Sequence, residues 1–401
     1  MPKTLFKVDL TKPIDQQELP GHNRWHPDIP AVVSVNPGDV FRIECKDWTD
    51  GQIKDNDSPD DIRDVDLTVV HVLSGPIWVN GAEPGDILVV DLVDIGALQG
   101  DEWGFTGIFD KKNGGGFLTD HFPEPAKAIW DFQGIYTSSR HIPGVRFAGI
   151  THPGLIGCAP SHELLAKWNK RELELVQTAP DLRTYGAGLS GDTPVLAALP
   201  NPQNAMLGTL PKSDYERVAA EAARTVPPRE HGGNCDIKNL SRGTRIYFPV
   251  YVEGGKLSMG DIHFSQGDGE ISFCGAIEMS GFIDLHVDII KGGMDKYSMI
   301  NPIFKPGPVE PRYSEYLVFE GISVDEFTGK QYYMDVHIAY RRACINAIEY
   351  LKKFGYTGEQ AYLLLSCAPV EGRISGIVDI PNACATLAIP TEIFDKDILP
   401  V

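Results

Sequence analysis

The sequence contains no apolar run approaching the roughly 20 residues that a membrane-spanning helix needs. Its opening, MPKTLFKVDLTKPIDQQ, lacks the apolar centre of a secretion signal, so a cytoplasmic location and no membrane partner are expected. Positive charge is in short supply: 36 Lys and Arg face 55 Asp and Glu, for a formal net charge of −19. That balance repels nucleic acid and anionic lipid while placing no constraint on a neutral substrate. The seven cysteines (45, 158, 235, 274, 344, 367 and 384) are odd in number and form no CxxC pair. A disulfide framework and a four-cysteine zinc site are therefore not expected, and reduced, buried thiols are. Also missing are GxSxG, a Walker A sequence, HExxH, a nucleotide-binding GxGxxG and the Lys-Ser-Ser spacing of the amidase-signature enzymes.

Glycine and proline are abundant, at 41 and 30 of 401 residues, without a strict period. Many turns and many short strands follow from that excess. AVVSVNPGDVFRIE and GPIWVNGAEPGDILVVDLVDI each set apolar alternation on both sides of a Pro-Gly-Asp turn, at 37–39 and 84–86. PVYVEGGKLSMGDIHFS looks like a third copy, with Gly260-Asp261 at the turn. Pro76 to Gly81 and Pro249 to Gly254 share their spacing, which reads either as a weak internal duplication or as recurrence of a common hairpin.

Helices are fewer. SHELLAKWNKRELELV (161–176) has the pattern of an amphipathic helix, and SDYERVAAEAAR that of a short one stopped by Pro227-Pro228. The run from about 337 to 354 places Tyr340, Cys344, Ile348 and Leu351 on one face, before Gly355. Thr357-Gly-Glu-Gln360 is a capping box opening another helix, and GRISGIVDIP and NACATLAIP read as closing strands. The expected fold is mainly β. Residues 1–198 form an N-terminal β-rich part, 199–228 an irregular connection with a short helix, and 229–401 a second β-rich part with the C-terminal helices. The three are expected to pack as one intertwined unit.

Polar residues are densest in His231-Gly-Gly-Asn-Cys-Asp236-Ile-Lys238 and in Gly260-Asp-Ile-His263-Phe-Ser-Gln266-Gly-Asp-Gly-Glu270. On a strand, residues two apart point to the same face, so Asp261 and His263 could converge on one cation. A turn Asp capping its own backbone beside an ordinary His would give the same letters. Glycines bracketing the acids of 266–270 let a backbone approach a ligand closely, and they equally make a plain hairpin loop. Asn234 could hold an amide, and Asp236 could bind metal or orient a His. His71 and Glu278 are further candidates, although isolated His and Glu on strands are more often solvated or paired. Cys367, after a helix in LLLSCAP, could be a nucleophile; a packed helix-end thiol is the plainer reading.

Taken in order, HNRWHPDIP (22–30), HVLSGPIWVNGAEPGDILVV (71–90), HGGNCDIK (231–238), GDIHFSQGDGE (260–270), AIE (276–278) and the tail from Ala339 to Pro390 resemble the acetamidase/formamidase family, closest to its formamidase branch. The resemblance spans nearly the whole chain. It implies hydrolysis of formamide, with action on acetamide and other short amides, a β-sandwich-like core with accessory α+β parts, and a homo-oligomer, trimer or hexamer. The one departure from that family's pattern is Cys235, where Met is common in GGNxD, expected to be a packing change that leaves the chemistry undisturbed.

Breaking an unactivated amide needs a strong nucleophile, charge stabilisation on the carbonyl oxygen and a proton for ammonia. A divalent metal, zinc by its donors, would supply the first two through an activated water. Its expected ligands are Asp261, His263 and His71, with Asp236 as a fourth ligand or a supporting group. Glu270 and Glu278 are the candidate catalytic acid/base, and Asn234 and Gln266 the substrate-binding amides. A small, sealed pocket lined by Trp78, Trp48 or Phe264 is expected. The rival readings are a cysteine amidase using Cys367 or Cys158, a silent β-sandwich that binds sugar or peptide, and a scaffold or storage protein. The 6 Trp, spread through the chain, give no aromatic stripe for the second. The third would have no reason to cluster polar residues between 231 and 278.

Overall fold

A computed structural model describes residues 2–178, 197–308 and 313–400. As the alternation requires, strand is the predominant regular structure of the described chain. Two large sheets dominate, and apolar residues of both, such as Ile43, Leu88 and Leu285 from one and Ile77, Ile156 and Ile262 from the other, belong to one continuous core. This is the sandwich-like arrangement the resemblance implies.

The Pro-Gly-Asp turns do something other than close hairpins. Val33–Val35 lies in the larger sheet and Val40–Cys45 in the smaller one. The same division holds for Ser74–Val79 and Ile87–Ala97, and in reverse for Arg245–Pro249 and Leu257–His263. Each device is an arch carrying the chain from one sheet to the other. Gly38 and Gly85 adopt φ of 90° and 95°, as their turns demand. In the third copy the turn is made by Gly254 and Gly255 (φ 71° and 64°), while Gly260-Asp261 lies inside the Leu257–His263 strand. The expected turn there is thus a strand interior. The second and third arches lie side by side, with Leu257 opposite Ile77 and Phe248 opposite Leu88, the antiparallel relation an internal duplication would leave.

The longer helices fall at His162–Thr178, Lys212–Glu221, Val336–Lys352 and Gly358–Cys367, close to the sequence pattern. The Thr357/Gln360 capping box is present on both sides, and Asp335 caps the preceding helix. Val336–Lys352 covers a three-stranded sheet containing Tyr316–Ile322, Cys384–Pro390 and Glu371–Gly376. No helix among the described residues is long and apolar enough to cross a membrane. All seven cysteines are free, and five are buried.

Candidate active site

The site grows from one rung of the larger sheet. His152–Gly157, Leu257–His263 and Phe273–Met279 are adjacent antiparallel strands, and their register sets His152 opposite His263 and His263 opposite Glu278. Asp261 lies two residues back on the middle strand, with φ of 55°. Gly154 on the neighbouring strand makes the room: a Cβ there would fall 2.4 Å from His263 Cε1 and 2.6 Å from Asp261 Oδ2. Leu155 pairs with Asn234, so the Gly232–Asn234 strand delivers Asn234 and then Asp236 to the same end of the sheet. The loop between Leu257–His263 and Phe273–Met279 supplies Glu270, and the segment before Ser74–Val79 supplies His71. Asp236, Asp261 and Glu270 all sit at positive φ (49°, 55° and 46°). Such conformations cost on the order of 1 kcal/mol or more each, and they collect where placement matters more than stability.

A cavity of about 330 Å³ has His71, Asn234, Asp236, Asp261, Glu270 and Glu278 in its wall, with His263 directly behind. His263 Nε2 stands 3.2 Å from Asp261 Oδ1 and 3.0 Å from Glu278 Oε2. Two trios have ligand atoms within 4.8 Å of one another: Asp236, Asp261 and His263, and His263, Glu270 and Glu278. His71 belongs to neither trio.

Hydrogen bonds fix the His263 tautomer. His152 Nδ1 lies 2.6 Å from the Ile150 carbonyl, which only accepts, so that nitrogen carries a proton. Burial holds His152 down at about 3, so it is neutral and its Nε2 is an acceptor. Gln266 Nε2 donates to the Asp236 carbonyl at 2.6 Å, which leaves Gln266 Oε1 as an acceptor too. His263 Nδ1 faces both acceptors, at 3.2 Å and 3.0 Å, and must donate. Nε2 is then the nitrogen presented to the acids.

The electrostatics are those of crowded carboxylates. Among the described residues, no Lys or Arg lines the cavity. Burial and the Asp261 charge push Asp236 up to about 7, and burial pushes Glu278 up to about 8. Glu270 is raised well above its ordinary value by burial and by Asp236 and Glu278. Against burial, the adjacent Glu278 and Asp261 raise His263 well above the usual imidazole range, and His263 in turn holds Asp261 down at about 2. Burial lowers His71 to about 4. Buried like charges of this density need protons or a cation. The residues fit a divalent ion: Asp236 Oδ1, Glu278 Oε2, His263 Nε2 and His71 Nδ1 are buried without an aligned hydrogen-bond partner, and the donors are imidazole and carboxylate.

Some expectations change. Gln266 does not line the cavity; its Oε1 accepts from His263 Nδ1 and its Nε2 donates to the Asp236 carbonyl, so both ends of its amide are engaged within the site. Trp48 lines the cavity, tilted against His71 at 5.0 Å. Trp78 packs over Gly254, and Phe264 stacks on Phe132 in the core, so neither lines it. At about 330 Å³ the cavity is larger than a pocket shaped to formamide alone. Cys158 and Cys367 are buried outside the lining, with burial raising both thiols, whereas Cys235 stands in the cavity wall. Sequence reasoning missed His152 and Gly154. The signal was a His-Pro-Gly step inside an otherwise apolar strand, legible only once the neighbouring strand is known.

The sequence profile of the acetamidase/formamidase family matches residues 7–396. The chain is 64% identical over 398 residues to a formamidase of Methylophilus methylotrophus, covering 99% of this chain and 95% of that protein. It is 60% identical over 380 residues to an acetamidase of Mycolicibacterium smegmatis, covering 93% and 91%. The solved structure of a gamma lactamase from Delftia acidovorans superposes with a TM-score of 0.95 at 62% identity, covering 100% of this chain and 95% of that one. Cavity, folded frame and near full-length identity agree: the chain belongs to the acetamidase/formamidase family.

Proposed function

We propose that the chain hydrolyses formamide, and acetamide and other short aliphatic amides, to the carboxylic acid and ammonia. The observation that carries this is the convergence of Asp236, Asp261, His263, Glu270 and Glu278 on one cavity whose lining also includes Asn234. Asn234 Nδ2 donates to the Val226 carbonyl at 3.0 Å, which fixes the side chain and leaves the buried Oδ1 unpartnered. That oxygen suits an N–H of a primary amide.

Asp261 and His263 would hold a divalent ion, zinc by donor type, together with Asp236. His71 is a further candidate through its unpartnered Nδ1. When bound, such an ion polarises the amide carbonyl and lowers the pKa of a water. In the reaction the water oxygen bonds to the carbonyl carbon, the C–N bond breaks, and the water's proton ends on nitrogen. Glu270 and Glu278 are the groups placed to take that proton and return it. Gln266 and His152 keep the His263 ring in its tautomer. Assembly of identical subunits is supported by the exposed Ile374, Ile377, Val378 and Ile380 on and beside one hairpin.

The test is release of ammonia and formate in equal amounts from formamide, by the wild type and by Asp261→Asn. Loss of about 10³-fold or more in the variant with its fold retained is expected. Undiminished turnover in Asp261→Asn would remove this site from the reaction.

A further inference from the structure

The cavity is much larger than formamide. At about 330 Å³ it would hold about ten waters at ~30 Å³ each. Away from the acids, its wall is apolar: Trp48, Val70, Phe117, Val226, Ile271 and Phe273. Formamide carries no apolar group to bury against such a wall, but an alkyl acyl group does.

A second cavity, of about 450 Å³, lies against the first, and Pro228 and Cys235 line both. Its wall is also largely apolar, with Ile156, Leu240, Ile246, Phe248 and Phe304. The charges at its edge are mutually satisfied, since Arg171 pairs with Glu230 and Arg229 with Glu172. The second cavity therefore offers nothing to a charged tail and suits a neutral apolar one. The Cys235 backbone N–H donates to the Gly154 carbonyl at 3.1 Å, so the partition is pinned and the side chain at 235 sets its thickness.

We propose that these two cavities form an acyl-chain pocket for neutral primary amides with apolar acyl groups, and that Cys235 is a specificity-determining residue whose size sets the longest chain admitted. The proposal rests on the amide-hydrolase reading of the same site. Short chains fill the first cavity, and longer ones press on the Cys235 partition.

The test is kcat/KM for formamide, acetamide, butyramide and hexanamide in the wild type, Cys235→Ala and Cys235→Phe, with melting temperature recorded for each. The hexanamide-to-formamide ratio should rise by about tenfold or more in Cys235→Ala, and the butyramide-to-formamide ratio should fall by a similar factor in Cys235→Phe. Should Cys235→Phe not fold, Cys235→Val takes its place, with a fall of about threefold expected for hexanamide. Ratios unchanged within about twofold in every folded variant that still hydrolyses formamide would overturn the proposal. Absence of formamide hydrolysis in the wild type would instead overturn the amide-hydrolase reading itself.

Discussion

Gly154→Ala adds one methyl group at the centre of the site and should abolish most of the activity. Gly154 does not occupy the left-handed region, so alanine suits its backbone and the effect is one of space. The new Cβ would lie 2.4 Å from His263 Cε1, 2.6 Å from Asp261 Oδ2 and 2.7 Å from His263 Nε2. Unstrained carbon contacts are about 3.5 Å or longer, so the ring or the carboxylate must move by about 1 Å. The backbone has little freedom to give instead, because the Gly154 carbonyl accepts the N–H groups of both Cys235 and Asp236. A misplacement of that size costs on the order of 10²-fold in rate, equivalent to about 2.7 kcal/mol of transition-state stabilisation. Overpacking should also lower stability by about 1–3 kcal/mol, small enough to leave a folded protein. The assay is kcat/KM for formamide beside a thermal melt, with Gly376→Ala as the control, since a Cβ at Gly376 meets its nearest neighbour at an ordinary 3.5 Å. Activity of Gly154→Ala within about threefold of wild type would refute the placement of Asp261 and His263 at the reacting centre.

Asn234→Ala removes the buried, unpartnered acceptor of a cavity-lining residue and should lower formamide kcat/KM by about 10- to 100-fold, the worth of one hydrogen bond to a buried polar group; an unchanged value would take Asn234 out of substrate binding. His152→Leu leaves the His263 Nδ1–H with Gln266 alone and should weaken zinc retention by about 10-fold or more in a competitive chelator titration, with His152→Asn recovering part of it; equal retention in wild type and His152→Leu would refute the tautomer relay. Against burial, hydrogen bonds from His121 and Arg341 hold Glu326 at about 2, below its ordinary 4.5. That stabilisation is fully present above about pH 4.5 and disappears as the pH falls toward 2, so Glu326→Gln should melt lower than wild type at pH 7 and converge with it in acid. A melting difference that persists undiminished below pH 3 would contradict the assignment.

Helices were legible because their signals are local. The Thr357/Gln360 capping box and the Tyr340-Cys344-Ile348-Leu351 stripe each specify a helix without reference to the rest of the chain. The Pro-Gly-Asp turns were legible as turns but not as arches between sheets, because strand pairing is set by residues far apart in sequence, as with Val79 and Gly254. At the site, the two-residue spacing of Asp261 and His263 suggests one shared face, and the two side chains lie 3.2 Å apart. What completes the cluster comes from other strands: the register of Glu278 against His263, of His152 against His263, and of Asn234 against Leu155. In sequence, Gln266 reads as a substrate amide from its company alone. Its two engaged ends become visible only when His263 and Asp236 are placed around it. Cys235 shows the converse. A side chain that looked like packing stands in the cavity wall, because the positive φ of Gly232 and Gly233 (101° and 84°) shapes the backbone just before it.

The most direct test of the proposed chemistry is elemental analysis of the purified protein together with formamide turnover, before chelation, after it, and after zinc is added back. About one divalent ion per chain is expected, with ammonia release lost on its removal and regained on its return, and with no such uptake by a His263→Gln variant. Full turnover by wild-type protein stripped to below about a tenth of an ion per chain would contradict it, leaving Asp236, Asp261, Glu270 and Glu278 to work on amides with protons alone.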